Sequence, residues 1–294
     1  MPLFPVINSC DGKYSNSLDV RFTKICDNAC AFCIERPGIP NMKTDVDTMI
    51  KSTITSGKKS VLILGGEPLL MINKVLTYVQ GIRDYVDEIY ITTSLPRVIS
   101  KKFDVFLQIV NSIDGLNVSL QHYDWKKNNE ILVANNRFNR LQMLQDMLSH
   151  ENVAKKTRIS INLVKGGIDT KEELTKFLET LKTIGCQHVK INELQHSPDS
   201  YISFEQIMGT SMKSPYSHGC QFDIPLVDGM RITLKRSCFL VEQSLDATFV
   251  DLLKITKKRF INKTVSNGNV VMYENGEIMS GWVTSDGSAA PSDQ

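Results

Sequence analysis

Three thiols fall within eight residues, Cys26-Asp27-Asn28-Ala29-Cys30-Ala31-Phe32-Cys33. Thiolates at spacings of four and three can wrap one side of a cubane iron–sulfur cluster. A filled cubane takes four cysteines, so one iron would be left without a protein ligand. Zinc competes for such a site, because it also takes closely spaced cysteines. A structural zinc, however, wants a fourth Cys or His nearby, and none lies within fifteen positions on either side. Three core cysteines gathered by coincidence are the plain alternative. A second short motif, Gly65-Gly66-Glu67-Pro68, is ordinary turn chemistry when taken alone. Its two glycines also let backbone groups approach a ligand closely. The other cysteines are Cys10, Cys186, Cys220 and Cys238; an odd total of seven, unevenly spaced, argues against a disulfide framework.

These motifs sit where a repeating pattern would position them. Short apolar, β-branched runs at Ser17–Thr23, Ser60–Leu64, Glu88–Thr93, Gly115–Gln121, Thr157–Val164 and His188–Leu194 have the length of buried strands. Helical periods are expected between them near 45–57, 73–85, 97–110, 137–150 and 171–184. In the fourth, Phe138, Leu141, Leu144 and Leu148 recur at helical spacing. The fifth opens with Asp169 or Thr170 as N-cap and closes at Gly185. Strands alternating with helices imply a parallel α/β sheet with right-handed crossovers, either doubly wound or an incomplete barrel. In both, functional loops leave the carboxyl ends of the strands, where the cysteines and the Gly-Gly-Glu-Pro lie.

After about residue 200 the pattern turns to β-rich runs, with hairpin signals at Asp228-Gly229, Asn267-Gly268 and Asn275-Gly276 and one helical stretch at 244–258. The expected organisation is an N-terminal extension (1–16), an α/β core (17–199), a small β-rich C-terminal extension (200–283) and a flexible tail (284–294). The 34 basic residues against 32 acidic cluster only in short pairs and one triplet rather than a stripe, which leans against a nucleic-acid partner. No run reaches the roughly eighteen apolar residues of a membrane span, and Met1-Pro2-Leu3-Phe4-Pro5 lacks the features of a signal peptide. A soluble, cytoplasmic protein is expected.

Cys-x3-Cys-x2-Cys after the first strand, with Phe32 before the last cysteine and Gly-Gly-Glu-Pro closing the second strand, resembles the radical S-adenosylmethionine (SAM) superfamily. The core looks most like the molybdenum-cofactor-biosynthesis type. The resemblance implies a partial (β/α)6 TIM-like barrel with the β-rich extension appended. It implies an oxygen-sensitive [4Fe–4S] cluster on Cys26, Cys30 and Cys33, whose open iron is chelated by SAM. Gly65 and Gly66 would then offer carbonyls to the methionine ammonium, with Glu67 assisting, Pro68 stiffening the turn and Phe32 against the adenine. Thr92, Thr93 and Ser94 stand where the family often shows a polar triplet beside SAM. Ser119, Gln121 and Asn162 are candidates for its ribose or carboxylate, and Asn192 and Glu193 for its adenine.

The implied activity is reductive cleavage of SAM to a 5′-deoxyadenosyl radical that abstracts hydrogen from a small-molecule substrate, with nucleotide- and sugar-like metabolites as candidates. An external one-electron donor such as flavodoxin or ferredoxin is implied. Substrate contacts are sought at His122, Tyr123, Asp124 and Trp125 after strand four, and at Gln195 and His196 after strand six. Cys220 and Cys238 bracket a hairpin, as in the auxiliary-cluster half-domains of some members, but no further cysteine follows Cys238; a metal-free contact between the two is the leading reading and a second iron–sulfur cluster the alternative. Alternatives are modification of a peptide or an RNA base, or a non-catalytic protein using three cysteines for zinc or redox sensing.

Overall fold

The computed structural model describes residues 16–33, 42–194, 198–209, 221–227, 229–237 and 270–280. Its core is β1 (Ser17–Thr23), α1 (Val46–Ser56), β2 (Ser60–Gly65), α2 (Ile72–Ile82), β3 (Glu88–Thr93), α3 (Val98–Lys101), α4 (Phe103–Ser112) and β4 (Gly115–Ser119). There follow α5 (Trp125–Ile131), α6 (Arg140–Leu148), α7 (Glu151–Lys156), β5 (Thr157–Leu163), α8 (Lys171–Thr183) and β6 (His188–Glu193). The strands β1 to β6 neighbour one another in chain order and pair in parallel. That order belongs to a (β/α) barrel. A doubly wound sheet reverses its strand order at a switch point, so the partial-barrel expectation holds.

The region after residue 200 contributes α9 (Phe204–Met208), β7 (Gln221–Val227), β8 (Met230–Lys235), β9 (Val270–Met272) and β10 (Ile278–Ser280). Its strands flank the same sheet at both edges. β8 runs parallel to β6 and antiparallel to β7, while β9 runs parallel to β1 and antiparallel to β10. The Asn275-Gly276 turn joins β9 to β10, with Gly276 at φ 82°, a conformation glycine adopts without strain. The expected helix at 244–258, the Asn267-Gly268 turn, the residues before 16 and the tail lie outside the described residues.

Successive side chains on a strand face opposite ways, and the two faces differ sharply here. Leu18, Val20, Phe22, Val61, Ile63, Ile89, Ile91, Leu116, Val118, Ile159, Ile161, Val189 and Ile191 join the main hydrophobic core. Phe22 meets the ring of Tyr78 from α2 at 5.7 Å between centroids. The alternate face is polar and internally bonded: Asn117 Nδ2 donates to Thr92 Oγ1 (3.3 Å), Arg158 Nε to Asn117 Oδ1 (3.0 Å) and Asn192 Nδ2 to Ser160 Oγ (2.8 Å). Polar groups withdrawn from water are satisfied by one another across this face.

The helices follow the expected periods with three differences. The segment 97–110 is two helices, because Lys102 leaves helical geometry at φ −132°, ψ 44°. The strand expected to run to Gln121 ends at Ser119. Helices α5 and α7 form where the sequence offers little apolar periodicity. Thr170, not Asp169, caps α8 through an N–H from Glu173 at 3.2 Å, one of the exchanges that satisfy a helix's first amides.

Candidate active site

The cysteine loop leaves β1 at the carboxyl edge of the sheet, and its backbone is tied at several points. Ala29 N–H donates to Leu132 O (2.9 Å) and Asn135 N–H to Asp27 O (2.9 Å), docking the loop on the end of α5. Cys33 N–H donates to Cys30 O at 3.2 Å, forming a tight turn between two of the cysteines. Phe32 packs against the cluster of Val164, Leu194 and Tyr201 beyond β5 and β6. The loop thus reaches from the first strand to the last two of the core. Cys26, Cys30 and Cys33 are thiols outside any disulfide, and all three are half-buried.

Gly65 and Gly66 press β2 directly against the start of that loop. A Cβ on Gly65, which sits at φ 123°, would lie 2.6 Å from Thr23 O, and one on Gly66 would lie 2.4 Å from Ile25 O. No side chain fits there. The approach lets Gly66 N–H donate to Thr23 O (2.6 Å) and Glu67 N–H to Ile25 O (2.8 Å), fixing the two residues before Cys26. Pro68 then opens a 3-10 turn, Pro68–Met71.

Glu67 is fully buried and ties three segments together. Oε1 accepts from Leu69 N–H (3.1 Å) and Thr93 Oγ1 (2.8 Å); Oε2 accepts from Ser94 N–H (2.6 Å) and Ser94 Oγ (2.7 Å). Burial pushes its pKa up, and the Ser94 and Thr93 bonds pull it back. Each oxygen faces a backbone N–H, an arrangement suited to the ionised carboxylate. Ser94 Oγ also accepts from Asn28 Nδ2 at 2.8 Å, and Asn28 N–H donates to Cys26 Sγ at 3.4 Å. A continuous chain of hydrogen bonds therefore runs from the Gly-Gly-Glu-Pro through the end of β3 to the first cysteine. Leu95, just beyond Ser94, holds φ 58°, strained backbone of the kind that clusters at functional sites.

Two members of this network carried no sequence signal. Asn28 is a non-ligand position inside the cysteine motif. Arg140 opens α6 at 1% exposure, in a helix whose apolar period gave no reason to single out its first residue. Around the cysteines the medium disfavours charge. Burial first, then the neighbouring Glu67, Asp27 and Cys33, pushes the Cys26 thiol up to about 11, and burial also raises Asp27. A metal binding here displaces protons from thiols.

The remaining candidates divide. Ser119 and Asn162 are half-buried on the polar face; Gln121 Oε1 accepts the Asn162 N–H at 3.0 Å. Glu193 is turned to structural partners, accepting from Phe204 N–H (2.9 Å), Ser237 N–H (2.8 Å) and Tyr201 Oη (3.3 Å). His122 is buried, with Nδ1 accepting from Asp124 N–H at 2.9 Å. Its Nε2 stands 3.1 Å from Glu173 Oε2, without the alignment of a hydrogen bond. Asp124 caps α5 through Lys126 N–H at 2.8 Å, and the Tyr123 ring lies tilted against that of His122, centroids 4.3 Å apart. Trp125 is the first residue of α5, its ring 5.8 Å from Lys126 Nζ. Gln195, His196, Cys220 and Cys238 lie outside the described residues.

Among the described residues, no three His, Cys, Asp or Glu side chains converge at the spacing of a single metal ion. The donor set is three half-buried thiols on one loop with no further protein ligand beside them among the described residues. It suits a multi-iron group with one corner open better than a closed tetrahedral zinc.

No protein-family model matches the sequence, and no curated protein is significantly similar to it. The fold does have solved counterparts. SuiB of Streptococcus suis bound to S-adenosylmethionine superposes with a TM-score of 0.56 at 15% identity, over 90% of this chain and 60% of that one. SuiB bound to the precursor peptide SuiA gives 0.56 at 14%, over 90% and 59%. The chain therefore spans about 60% of the length of SuiB. At this identity the likeness is one of fold: the chain has a partial (β/α) barrel core like that of SuiB. Among the described residues, no helix is long and apolar enough to cross a membrane.

Proposed function

We propose that the chain is a radical SAM enzyme whose cluster is held by Cys26, Cys30 and Cys33. The observation that carries this reading is the hydrogen-bonded path from Glu67 through Ser94 and Asn28 to Cys26, which joins the two short motifs into one site. When bound, a [4Fe–4S] cluster would supply the electron for reductive cleavage of SAM, giving methionine and a 5′-deoxyadenosyl radical that takes a hydrogen atom from the substrate. The chain's own contribution is placement. The cysteine loop is braced on α5, and the glycines set β2 against it. The amides of Gly66 and Glu67 are spent on that bracing, and the Glu67 carboxylate on Leu69, Thr93 and Ser94. Backbone carbonyls at Gly65 and Gly66 would then receive the ammonium of SAM. Ser119, Asn162 and Asn192 line the polar face toward which the rest of SAM would extend. Phe32 closes the loop against β5 and β6.

The substrate is read as a small molecule, with nucleotide- and sugar-like metabolites the first candidates, in the mouth of the barrel near His122, Tyr123, Asp124, Gln195 and His196. The electron comes from an external donor such as flavodoxin or ferredoxin, and the working site is cytoplasmic. A second reading, a peptide substrate, is favoured by the structure of SuiB with its precursor peptide. A second cluster involving Cys220 and Cys238 remains part of the proposal.

The direct test is replacement of each motif cysteine by Ala, with 5′-deoxyadenosine measured under dithionite. All three variants are expected to yield none above background. A variant that still cleaves SAM at the wild-type rate would remove that cysteine from the site. Adding candidate metabolites and peptides separately to the wild-type enzyme and following turnover distinguishes the two substrate readings.

A further inference from the structure

Arg140 is among the largest fully buried side chains of the protein, and four separate segments end on its guanidinium. Nε donates to Ser94 O at 3.1 Å, Nη1 to Asn129 Oδ1, and Nη2 to Asn28 Oδ1 at 3.2 Å. Nη2 also lies 3.5 Å from Asp27 Oδ2, and the ring of Phe138 covers the cation at 4.5 Å. One planar fork therefore joins the cysteine loop, the end of β3, α5 and the lead-in to its own helix. A guanidinium presents its donors in a fixed planar fork, which an ammonium on its flexible stem does not.

The charge is as notable as the geometry. A buried cation is costly unless well paired. Here its one direct ionic partner among the described residues, Asp27, has both carboxylate oxygens buried and without a hydrogen bond. Asn28, which accepts from Nη2, stands between Cys26 and Cys30 in the loop and donates its own N–H to Cys26 Sγ at 3.4 Å. The cation is thus joined to the first cysteine through one residue.

We propose that Arg140 is a positioning residue for the cysteine loop, ordering it before any cluster is present, and that its buried charge raises the reduction potential of the cluster held there. The second half rests on the cluster reading above; the first does not. Taking up one electron makes a cluster one unit more negative, and a fixed cation in a medium of low dielectric stabilises that state.

The test compares wild type with Arg140→Met, Arg140→Lys and Asp27→Asn. Hydrogen exchange of residues 24–33 is read in the cluster-free chain. The midpoint potential is read by EPR-monitored titration after reconstitution, with iron counted on each sample. Arg140→Met is expected to speed exchange in the loop about tenfold. It should also lower the reduced-to-oxidised ratio at fixed poise about tenfold, about 59 mV for a one-electron couple. Arg140→Lys keeps the charge and should restore the potential without restoring the protection. Asp27→Asn removes the opposing charge and should raise the potential.

Wild-type exchange in Arg140→Met overturns the positioning half. A wild-type potential in that variant, or an equal fall in Arg140→Lys, overturns the charge half. If Arg140→Met does not fold, an unchanged potential in Asp27→Asn overturns the charge half, and wild-type exchange in Arg140→Lys overturns the positioning half. A wild-type chain that binds no iron overturns the cluster reading and the charge half with it, while exchange still decides the positioning half.

Discussion

Glu67 presents two carboxylate oxygens to backbone N–H groups of different segments, Leu69 on one side and Ser94 on the other. Glu67→Gln would replace one acceptor with a donor opposite a donor, leaving a buried amide unsatisfied at a cost of about 1–3 kcal/mol. A fall of that size in unfolding free energy, measured by denaturant titration of the cluster-free chain, is expected. His188 shows the other effect of burial. Desolvation, followed by the neighbouring Arg158 and Arg231, lowers its pKa from 6.5 to about 3, while Nε2 stays 2.9 Å from Thr233 Oγ1. Asp223 opposes the shift and Lys190 adds to it. Between those two values the unfolded chain binds the extra proton and the folded chain does not. Stability is therefore fully present above about pH 6.5 and falls as the pH drops, by at most about 1.4 kcal/mol per pH unit. His188→Gln should flatten that dependence between pH 6.5 and 5, as read by denaturant midpoints.

At the scale of elements, strands were the most legible part of the sequence. Ser17–Thr23 and Glu88–Thr93 form over the residues expected, because β-branched runs buried on one face leave little choice of state. Helix α5 was not legible. Its residues Trp125 to Ile131 show no apolar stripe, and it is held by the Asp124 cap and by the buried side chains of Asn128 and Asn129. Asn128 Oδ1 accepts Gln121 N–H at 2.7 Å, and Asn129 meets Arg140. Polar anchoring of this kind depends on partners far along the chain and leaves no periodic trace. The same holds for the path joining Glu67, Ser94 and Asn28. The motifs were visible as residues, but the bonds between them required the sheet. Gly66 is where element packing and site meet. Gly66→Ala would force a Cβ into Ile25 O and Lys24 O, both backbone, and should cost about 1–3 kcal/mol as overpacking. It should also reduce the iron bound after reconstitution, since the displaced backbone leads directly into Cys26.

For the molecule as a whole, the sheet is extended on the β1 side by residues some 250 positions later. Arg21 donates through Nε (3.0 Å) and Nη2 (2.7 Å) to Glu274 Oε2, both side chains fully buried, and its guanidinium lies 4.4 Å from the Tyr273 ring. Glu274 O also accepts the Asp45 N–H at 2.8 Å, tying the cap of α1 to the C-terminal hairpin. Removing one partner of a buried pair costs more than the pair contributes, about 3–5 kcal/mol. Glu274→Ala is expected to lower the unfolding free energy by that amount. A loss below about 1 kcal/mol would show that β9 and β10 are an accessory edge that adds little to the stability of the core. The position of this hairpin was not readable from its turn signal, because Asn275-Gly276 specifies antiparallel pairing of two strands and says nothing of which edge receives them.

The central claim is that one loop, braced by Glu67 and Ser94, holds an iron–sulfur cluster that cleaves SAM. Iron and sulfide per chain after anaerobic reconstitution, with 5′-deoxyadenosine assayed on the same sample, test it most directly. About four irons per chain for one cubane, or about eight if Cys220 and Cys238 join a second, together with SAM cleavage, is the predicted result. Zinc in place of iron, with no 5′-deoxyadenosine formed, would contradict it.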